Sequence, residues 1–214
     1  AHATHQRNEM PLFHPRILAK RLKHEGEIPV EAREVLTAWA KSLSAGVYDS
    51  ESQNDAEFIQ RILIDVLGYK GSSSGSSWTL AKNQPVGVGN VDVALGSFAA
   101  NAVPEIIAPF ELKGARTLDL DAPMPGRNKS PVQQAWEYAM DAKGAKWVLV
   151  SNYREIRLYA VGYGRKDYEV FNLESAFETA SYNRLMLLLS ARNLLTGRTI
   201  ELLRESERAG RQIT

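Results

Sequence analysis

Cysteine is missing from this chain of 214 residues. Its absence excludes disulfide bonds, thiolate zinc sites and cysteine nucleophiles, and it fits a reducing compartment, so a cytoplasmic protein is expected. No run of apolar residues is long enough to predict a membrane-spanning helix. The first ten residues, AHATHQRNEM, also lack the apolar core of a secretory signal. We interpret residues 1–9, ahead of Met10, as a remnant of expression cloning.

Histidine is scarce, and its four residues all lie within the first 24 positions. Chemistry located beyond that point must therefore proceed without an imidazole. This argues against a serine–histidine triad and against a histidine-rich metal site in the main body. The formal net charge is +1. That total does not decide whether the chain binds nucleic acid, because a local basic face is sufficient.

Helical patterns occupy the first third of the chain. PRILAKRLKHEG and VEAREVLTAWAKSLSAG are separated by a break at EIP, and SQNDAEFIQRILIDVLGY follows, with Asn54 or Asp55 as its predicted N-cap. Gly46 and Gly68 are predicted to end the second and third helices. The segment KGSSSGSSW is then expected to be a surface loop.

Strand-like patterns follow this loop in short runs rich in valine, isoleucine and aromatic residues. They are TLAKNQP, NVDVALGSF, PEIIAPFELKG, KWVLVSN, EIRLYAVG and YEVFNL. A helix, SPVQQAWEYAMDAKG, lies between the third and fourth runs, with Ser130 as its N-cap. The tail is predicted to be helical with a break near Gly197. The whole pattern predicts an α/β fold with a central sheet flanked by helices, and further helices at both termini.

Two opposite charges stand inside the third strand-like run. Side chains alternate along a strand, so Glu111 and Lys113 share one face of it. Two buried charges without partners are strongly unfavourable, and something must compensate them. Either the two residues pair with each other or lie at a solvated strand end, or they belong to a functional site.

Asp92 favours a functional site, because it stands in the middle of the preceding apolar strand, where an isolated carboxylate is also unfavourable. Two carboxylates that converge at the edge of a sheet suit a hard divalent cation, and Mg²⁺ is the usual ion in phosphate chemistry. The ammonium of Lys113 would then stabilise charge on a phosphate oxygen or orient an attacking water.

An aspartate in one strand followed by Glu-x-Lys in the next resembles the PD-(D/E)XK nuclease superfamily, with Val91 standing where that motif has proline. Glu57, on the third helix, occupies the position of the superfamily's frequent extra acidic residue; the alternative is a solvated helix charge. Gln134 and Tyr138 match the Q-x-x-x-Y motif of the RecB-like branch, on the helix after the Glu-x-Lys strand. Residues four apart lie on one helical face, so both can point at the same site.

A narrower resemblance begins at about residue 30 and extends through most of the chain. EVLTAWAKSLSAG, VDVALG, FELKGA, SPVQQAWEYA and LLLSARNLLTG together resemble the amino-terminal endonuclease region of Type IIG single-chain restriction-modification enzymes. This implies a helical extension at 1–50, a nuclease core with a restriction-endonuclease-like mixed sheet at 51–178, and helices at 179–214 leading to an absent domain. Methyltransferase and target-recognition domains follow in such enzymes, but the sequence contains neither N-P-P-[YF] nor an S-adenosylmethionine loop. The chain is expected to be a nuclease fragment or a free-standing relative.

The resemblance implies a Mg²⁺-dependent endonuclease that hydrolyses double-stranded DNA, with Mn²⁺ as a substitute ion. The implied catalytic residues are Asp92, Glu111, Lys113, Gln134 and Tyr138. The implied metal ligands are Asp92, Glu111, the carbonyl of Leu112 and Glu57. In the loop before the helix, the candidates for phosphate contacts are Arg116, Arg127 and Lys129. These cations are alternatively ordinary loop charges. Cleavage of both strands gives a reason for two copies to meet.

Two other functions compete with this one. The first is a stand-alone RecB-like exonuclease or repair nuclease, and the second is a catalytically idle nuclease fold that serves as a DNA-binding module. Retention of Asp92, Glu111 and Lys113 argues against the idle module, because decay usually removes metal ligands first. The basic segment RILAKRLK is either a solvated helix face or a DNA-binding arm.

Overall fold

Helices lie at both ends of the chain, and the strands lie between them. The computed structural model describes residues 11–211, apart from the side chains of residues 51, 52 and 211. The interpretation of residues 1–9 and the last three positions of the predicted C-terminal region lie outside the described residues. The helices are α1 (Pro15–Leu22), α2 (Val30–Ser44), α3 (Glu51–Phe58), α4 (Pro131–Asp141), α5 (Thr179–Leu189), α6 (Ala191–Leu194) and α7 (Arg198–Arg211).

The third helix is confirmed, but its predicted N-cap was wrong. α3 begins at Glu51, and it continues as a π-helix over Ile59–Val66. Asn54 lies inside the first turns, where its side-chain amide donates to the backbone oxygen of Ser50 at 2.7 Å. The apolar period starts only at Phe58, so the polar turns ahead of it carried no helical signal. Sequence patterns locate such polar turns poorly.

The predicted helix ends are confirmed where a glycine stands at the boundary. Gly46, Gly68 and Gly197 adopt positive φ angles of 75°, 82° and 89°, which L side chains adopt only with strain. A further break at Ser190, between α5 and α6, was missed. Ser190 carries no glycine or proline signal, and it is buried among the helices at 3% exposure.

All six predicted strands are confirmed. They are β1 (Ser77–Val86), β2 (Gly89–Ala99), β3 (Glu105–Leu112), β4 (Trp147–Ser151), β5 (Glu155–Ala160) and β6 (Tyr168–Asn172). They form one six-stranded sheet in the order β1-β2-β3-β4-β5-β6. Neighbouring strands are antiparallel except for β3 and β4, which are parallel. A parallel pair needs a crossover connection, and α4 provides it.

The sheet buries both of its faces, so the protein has two layers of core. The larger core lies under the terminal helices, where Trp39, Leu63 and Leu188 pack against strand residues such as Phe110 and Trp147. The second core lies under α4. It includes Val91, Ala94, Ala135, Val148 and Tyr159. Successive strand residues alternate between the two cores, which is why these strands read as nearly continuous apolar runs.

The N-terminal segment belongs to the larger core. Phe13 is fully buried, its ring stacks on Trp147, and its backbone N–H donates to the Glu169 carboxylate at 2.8 Å. Residues from Leu12 to Leu203 share this core, so the three regions predicted at 1–50, 51–178 and 179–214 pack together. Among the described residues, no helix is long and apolar enough to cross a membrane.

Candidate functional site

The end of β3 carries a buried ion pair. Lys113 Nζ lies 3.4 Å from Glu111 Oε1, and their side chains are 9% and 3% exposed. Phe110 and Leu112 point into the larger core, so the two charged side chains occupy the α4 face of the sheet. The pairing anticipated as one alternative is therefore present. It places a carboxylate and an ammonium together in a setting with little water.

Asp92 on β2 lies next to this pair. Val93 is opposite Phe110 in the antiparallel register, so Asp92, one position before Val93, lies beside Glu111, one position after Phe110. Directly opposite residues have Cβ atoms about 5 Å apart. Asp92 Oδ2 also accepts a hydrogen bond from the backbone N–H of Leu112 at 2.8 Å. This bond orients the aspartate toward the end of β3, between Glu111 and Lys113.

Gln134 and Tyr138 lie together on α4, which covers this face of the sheet. Gln134 Nε2 is 3.4 Å from Tyr138 Oη. Gln134 Oε1 is buried and accepts no hydrogen bond from the described residues. Tyr138 packs so closely on Gly89 that a Cβ on that glycine would lie 3.2 Å from its Oη. The tyrosine therefore contacts the start of β2, close in sequence to Asp92.

A groove of about 340 Å³ runs between α4, the β1–β2 turn and the loop before α4. We call it the α4 groove, and it is lined by Val86, Val88, Gly89, Arg127, Lys129, Gln134, Glu137, Tyr138 and Asp141. Two predicted phosphate contacts, Arg127 and Lys129, thus share a groove with the Q-x-x-x-Y pair. Lys129 Nζ lies 2.6 Å from Glu137 Oε2, and this hydrogen bond lowers the pKa of Glu137.

Glu57 and Arg116 lie apart from these residues. The Glu57 side chain is 57% exposed and lies 4.0 Å from Arg61 on the outer face of the third helix. Its neighbour Phe58 is fully buried, and the helix turns Glu57 outward as a result. Within residues 11–211, no group of three or more His, Asp or Glu side chains forms a metal-binding cluster, so Glu57 does not join the two strand carboxylates. In the structure Glu57 is a solvent-exposed charge on a helix, which was the alternative interpretation of this residue.

Arg116 extends into solvent. Its side chain is 81% exposed, and its Nε lies 3.5 Å from Asp49 Oδ2. The residue does not line the α4 groove. Its role as a phosphate contact stays a prediction, which the exposure of its guanidinium permits.

Arg157 on β5 was missed by sequence reasoning. It is only 2% exposed, and its Nη1 donates to Asp121 Oδ2 at 2.9 Å and to Tyr159 Oη at 3.3 Å. Burial opposes its charge, but the hydrogen bonds to Tyr159 and Asp121 outweigh this, so the pKa of Arg157 is raised. The contact ties the loop before α4 to the sheet. An arginine inside the apolar run EIRLYA is the same kind of signal as Glu111 in its strand.

A strained tyrosine was also missed. Tyr153 follows β4, is fully buried and has a φ of 68°, which is unusual for a bulky residue. Its hydroxyl donates a short hydrogen bond to Asp55, and its backbone oxygen accepts from Trp39 Nε1 at 2.9 Å. No sequence pattern indicates a positive φ at tyrosine.

Comparisons with protein-family models, curated proteins and solved structures gave no match for this chain.

Proposed function

We propose that this chain is a Mg²⁺-dependent DNA endonuclease domain of the PD-(D/E)XK type, the cleavage module of a restriction-modification enzyme. The order of elements supports this proposal: three antiparallel strands, a crossover helix and a parallel fourth strand, with the charged residues at the end of the third. A fold hosts many functions, so the argument depends on the site itself.

The observation that carries the proposal is the buried Glu111–Lys113 pair, with Asp92 beside Glu111 on the neighbouring strand β2. Replacing such a buried pair by apolar residues is often neutral or stabilising, so stability alone gives little reason to keep it. A hydrolytic site needs both signs of charge at one point. The carboxylates hold a cation, and the ammonium contacts a phosphate oxygen or the attacking water.

The donor set fits a hard divalent cation. The Asp92 and Glu111 carboxylates, with the backbone carbonyl of Leu112, supply the oxygen ligands that Mg²⁺ prefers, and Mn²⁺ accepts the same set. When bound, such an ion lowers the pKa of a bound water and offsets charge on the phosphate. The side chains of the protein position the water and the DNA.

In this proposal Lys113 orients the water or a phosphate oxygen, and Glu111, 3.4 Å from its ammonium, keeps it in place. Gln134 and Tyr138 orient the nucleophile, a ligand or the DNA backbone from α4. The buried Gln134 Oε1 supports the first of these roles, because it accepts no hydrogen bond from the described residues and a water can donate one to it. Arg127, Lys129 and Arg116 contact phosphates. Sequence recognition resides in methyltransferase and target-recognition domains of a longer chain, and two copies meet for double-strand cleavage.

A supercoiled plasmid tests the proposal. Wild-type protein with Mg²⁺ is expected to nick it weakly and without sequence preference, and EDTA and Lys113→Ala are expected to abolish nicking. Lys41→Ala is the matched control, because Lys41 is an exposed lysine on α2, on the other face of the sheet. Equal nicking by wild type and Lys113→Ala would refute the proposal. Sharp digestion at one sequence would refute only the prediction that nicking has no sequence preference.

A stand-alone RecB-like exonuclease is a second candidate, favoured by the close placement of Gln134 and Tyr138. Such an enzyme needs a DNA end. It would degrade linear DNA and leave the covalently closed plasmid intact, whereas the endonuclease nicks both. Binding of DNA without cleavage of either substrate would identify an idle DNA-binding module.

A further inference from the structure

The turn between β1 and β2 presents one apolar side chain entirely to solvent. Val88 is 109% exposed, at the tip formed by residues 87–89, which we call the hairpin tip. Gly87 has a φ of 59°, which permits the tight turn. Asp92 follows Val88 by four residues, so the tip lies within roughly 13 Å of the candidate site along the strand.

The hairpin tip is packed against α4. A Cβ on Gly87 would lie 2.5 Å from Asp141 Oδ2, and one on Gly89 would lie 3.2 Å from Tyr138 Oη. A side chain at either glycine would force these neighbours to shift. Val88, between the two glycines, is therefore presented outward by a turn that is held on both sides.

Two cations lie beside the hairpin tip, because Arg127 and Lys129 line the α4 groove together with Val88. Two carboxylates line the same groove. Glu137 accepts a hydrogen bond from Lys129, and Asp141 lies against Gly87. The surface therefore combines one apolar tip with the ammonium of Lys129 and the exposed guanidinium of Arg127.

We propose that the hairpin tip enters a groove of double-stranded DNA next to the site of cleavage, with Val88 packed against sugars and bases. Arg127 and Lys129, which share a groove with Val88, then bind phosphates beside it. This inference rests on the proposed function, because it places the duplex over the same site. Apolar wedges flanked by cations are a known means of DNA binding. A stable protein partner would need a far larger apolar area than one valine.

The test measures binding separately from cleavage. All variants carry Lys113→Ala, and a short fluorescein-labelled duplex is titrated with the full chain while fluorescence anisotropy is recorded. Val88→Glu places a negative charge against the duplex and is expected to weaken binding about tenfold or more. Val103→Glu is the matched control. Val103 is 91% exposed, in the turn between β2 and β3 at the opposite end of β2, so its affinity is expected to change less than about twofold.

Equal affinity for Val88→Glu and Val103→Glu would overturn the inference. So would a change of self-association in Val88→Glu, measured by sedimentation, without a change of DNA affinity, because the tip would then be a contact between copies. The two proposals fail separately. If wild type nicks plasmid and Val88→Glu binds normally, only the hairpin-tip inference is wrong. If wild type never nicks but Val88→Glu loses binding, the nuclease is wrong and the DNA surface stands.

Discussion

Lys113 Nζ lies 3.4 Å from Glu111 Oε1 in a part of the sheet where neither side chain is more than 9% exposed. Removing one member leaves the other charge buried with fewer partners. We expect Lys113→Ala and Glu111→Leu each to lower the free energy of unfolding by about 3 kcal/mol. The double variant Glu111→Leu/Lys113→Met is expected to be at least as stable as either single variant, because no buried charge of the pair remains.

Urea unfolding followed by circular dichroism measures these differences, and plasmid nicking is recorded on the same samples. A stable double variant without nicking would separate the role in activity from any role in folding. Additive losses in the double variant would contradict the prediction, because additivity indicates that the two residues do not interact.

Mg²⁺ is expected to stabilise the folded chain before any DNA is present. Asp92 and Glu111 occupy adjacent register positions, and a cation held between them reduces their mutual repulsion. Binding to the native state alone raises the midpoint of thermal unfolding, here by about 2 °C at millimolar Mg²⁺. Asp92→Asn is expected to lose this shift.

Asp49→Asn serves as the control for the Mg²⁺ experiment. Asp49 is an aspartate paired with Arg116 near the surface, outside the predicted ligand set. Its variant is expected to keep the wild-type shift. Equal shifts in Asp92→Asn and wild type would show that Mg²⁺ acts elsewhere.

The secondary structure was largely predictable from the sequence because the local signals agree. Gly46, Gly68 and Gly197 mark helix ends, and all the predicted strands formed because their apolar runs pack between two layers of helices. The start of α3 and the break at Ser190 were not predictable in this way. A polar first turn has no apolar period, and the Ser190 break has no glycine or proline to indicate it.

The candidate site was predictable only where a charge interrupts an apolar strand. That rule found Asp92 and Glu111, which the sheet register then placed side by side. Arg157 interrupts an apolar strand in the same way and is buried as well. Glu57 was assigned by helix position alone, and the buried face of the helix turned it outward. The contact between Tyr138 and Gly89 joins residues distant in sequence, and no local pattern indicates it.

Gly96 is expected to be the glycine on the sheet least tolerant of a side chain. At the irregularity between β2 and β3, a Cβ on Gly96 would lie 1.9 Å from the backbone oxygen of Glu105. Backbone atoms cannot move aside cheaply, so Gly96→Ala is expected to cost about 3 kcal/mol of unfolding free energy. Gly26→Ala is the control, because nothing lies within 4 Å of its Cβ position. A Gly96→Ala protein with the wild-type urea midpoint would contradict the described register.

Asp121 is expected to hold the loop before α4 on the sheet. Its carboxylate accepts from Arg157 at 2.9 Å, and the loop also carries Arg127 and Lys129. Asp121→Ala is expected to speed amide hydrogen exchange in residues 116–129 without affecting the strands, because the ion pair with Arg157 restrains only the loop. Glu205→Ala is the matched control. It removes a partly exposed carboxylate that pairs with Arg21 on α1, also at 2.9 Å and away from this loop. Unchanged exchange in the loop would show that other contacts hold it.

Alkaline pH is expected to destabilise the fold through buried tyrosines. Burial raises the pKa of Tyr159 from 10.0 to about 12, in spite of its hydrogen bond from Arg157. The folded state therefore favours the neutral phenol. The associated stability is fully present below pH 10.0 and is lost as the pH rises toward about 12, a difference on the order of 2 kcal/mol.

Urea midpoints measured at increasing pH above 10.0 should fall more steeply in wild type than in Tyr159→Phe, which has no phenol to ionise. Tyr69, whose pKa burial also raises, contributes in the same direction, so Tyr159→Phe should reduce the slope without removing it. An identical slope in both proteins would mean that Tyr159 ionises in the folded state as readily as in the unfolded chain.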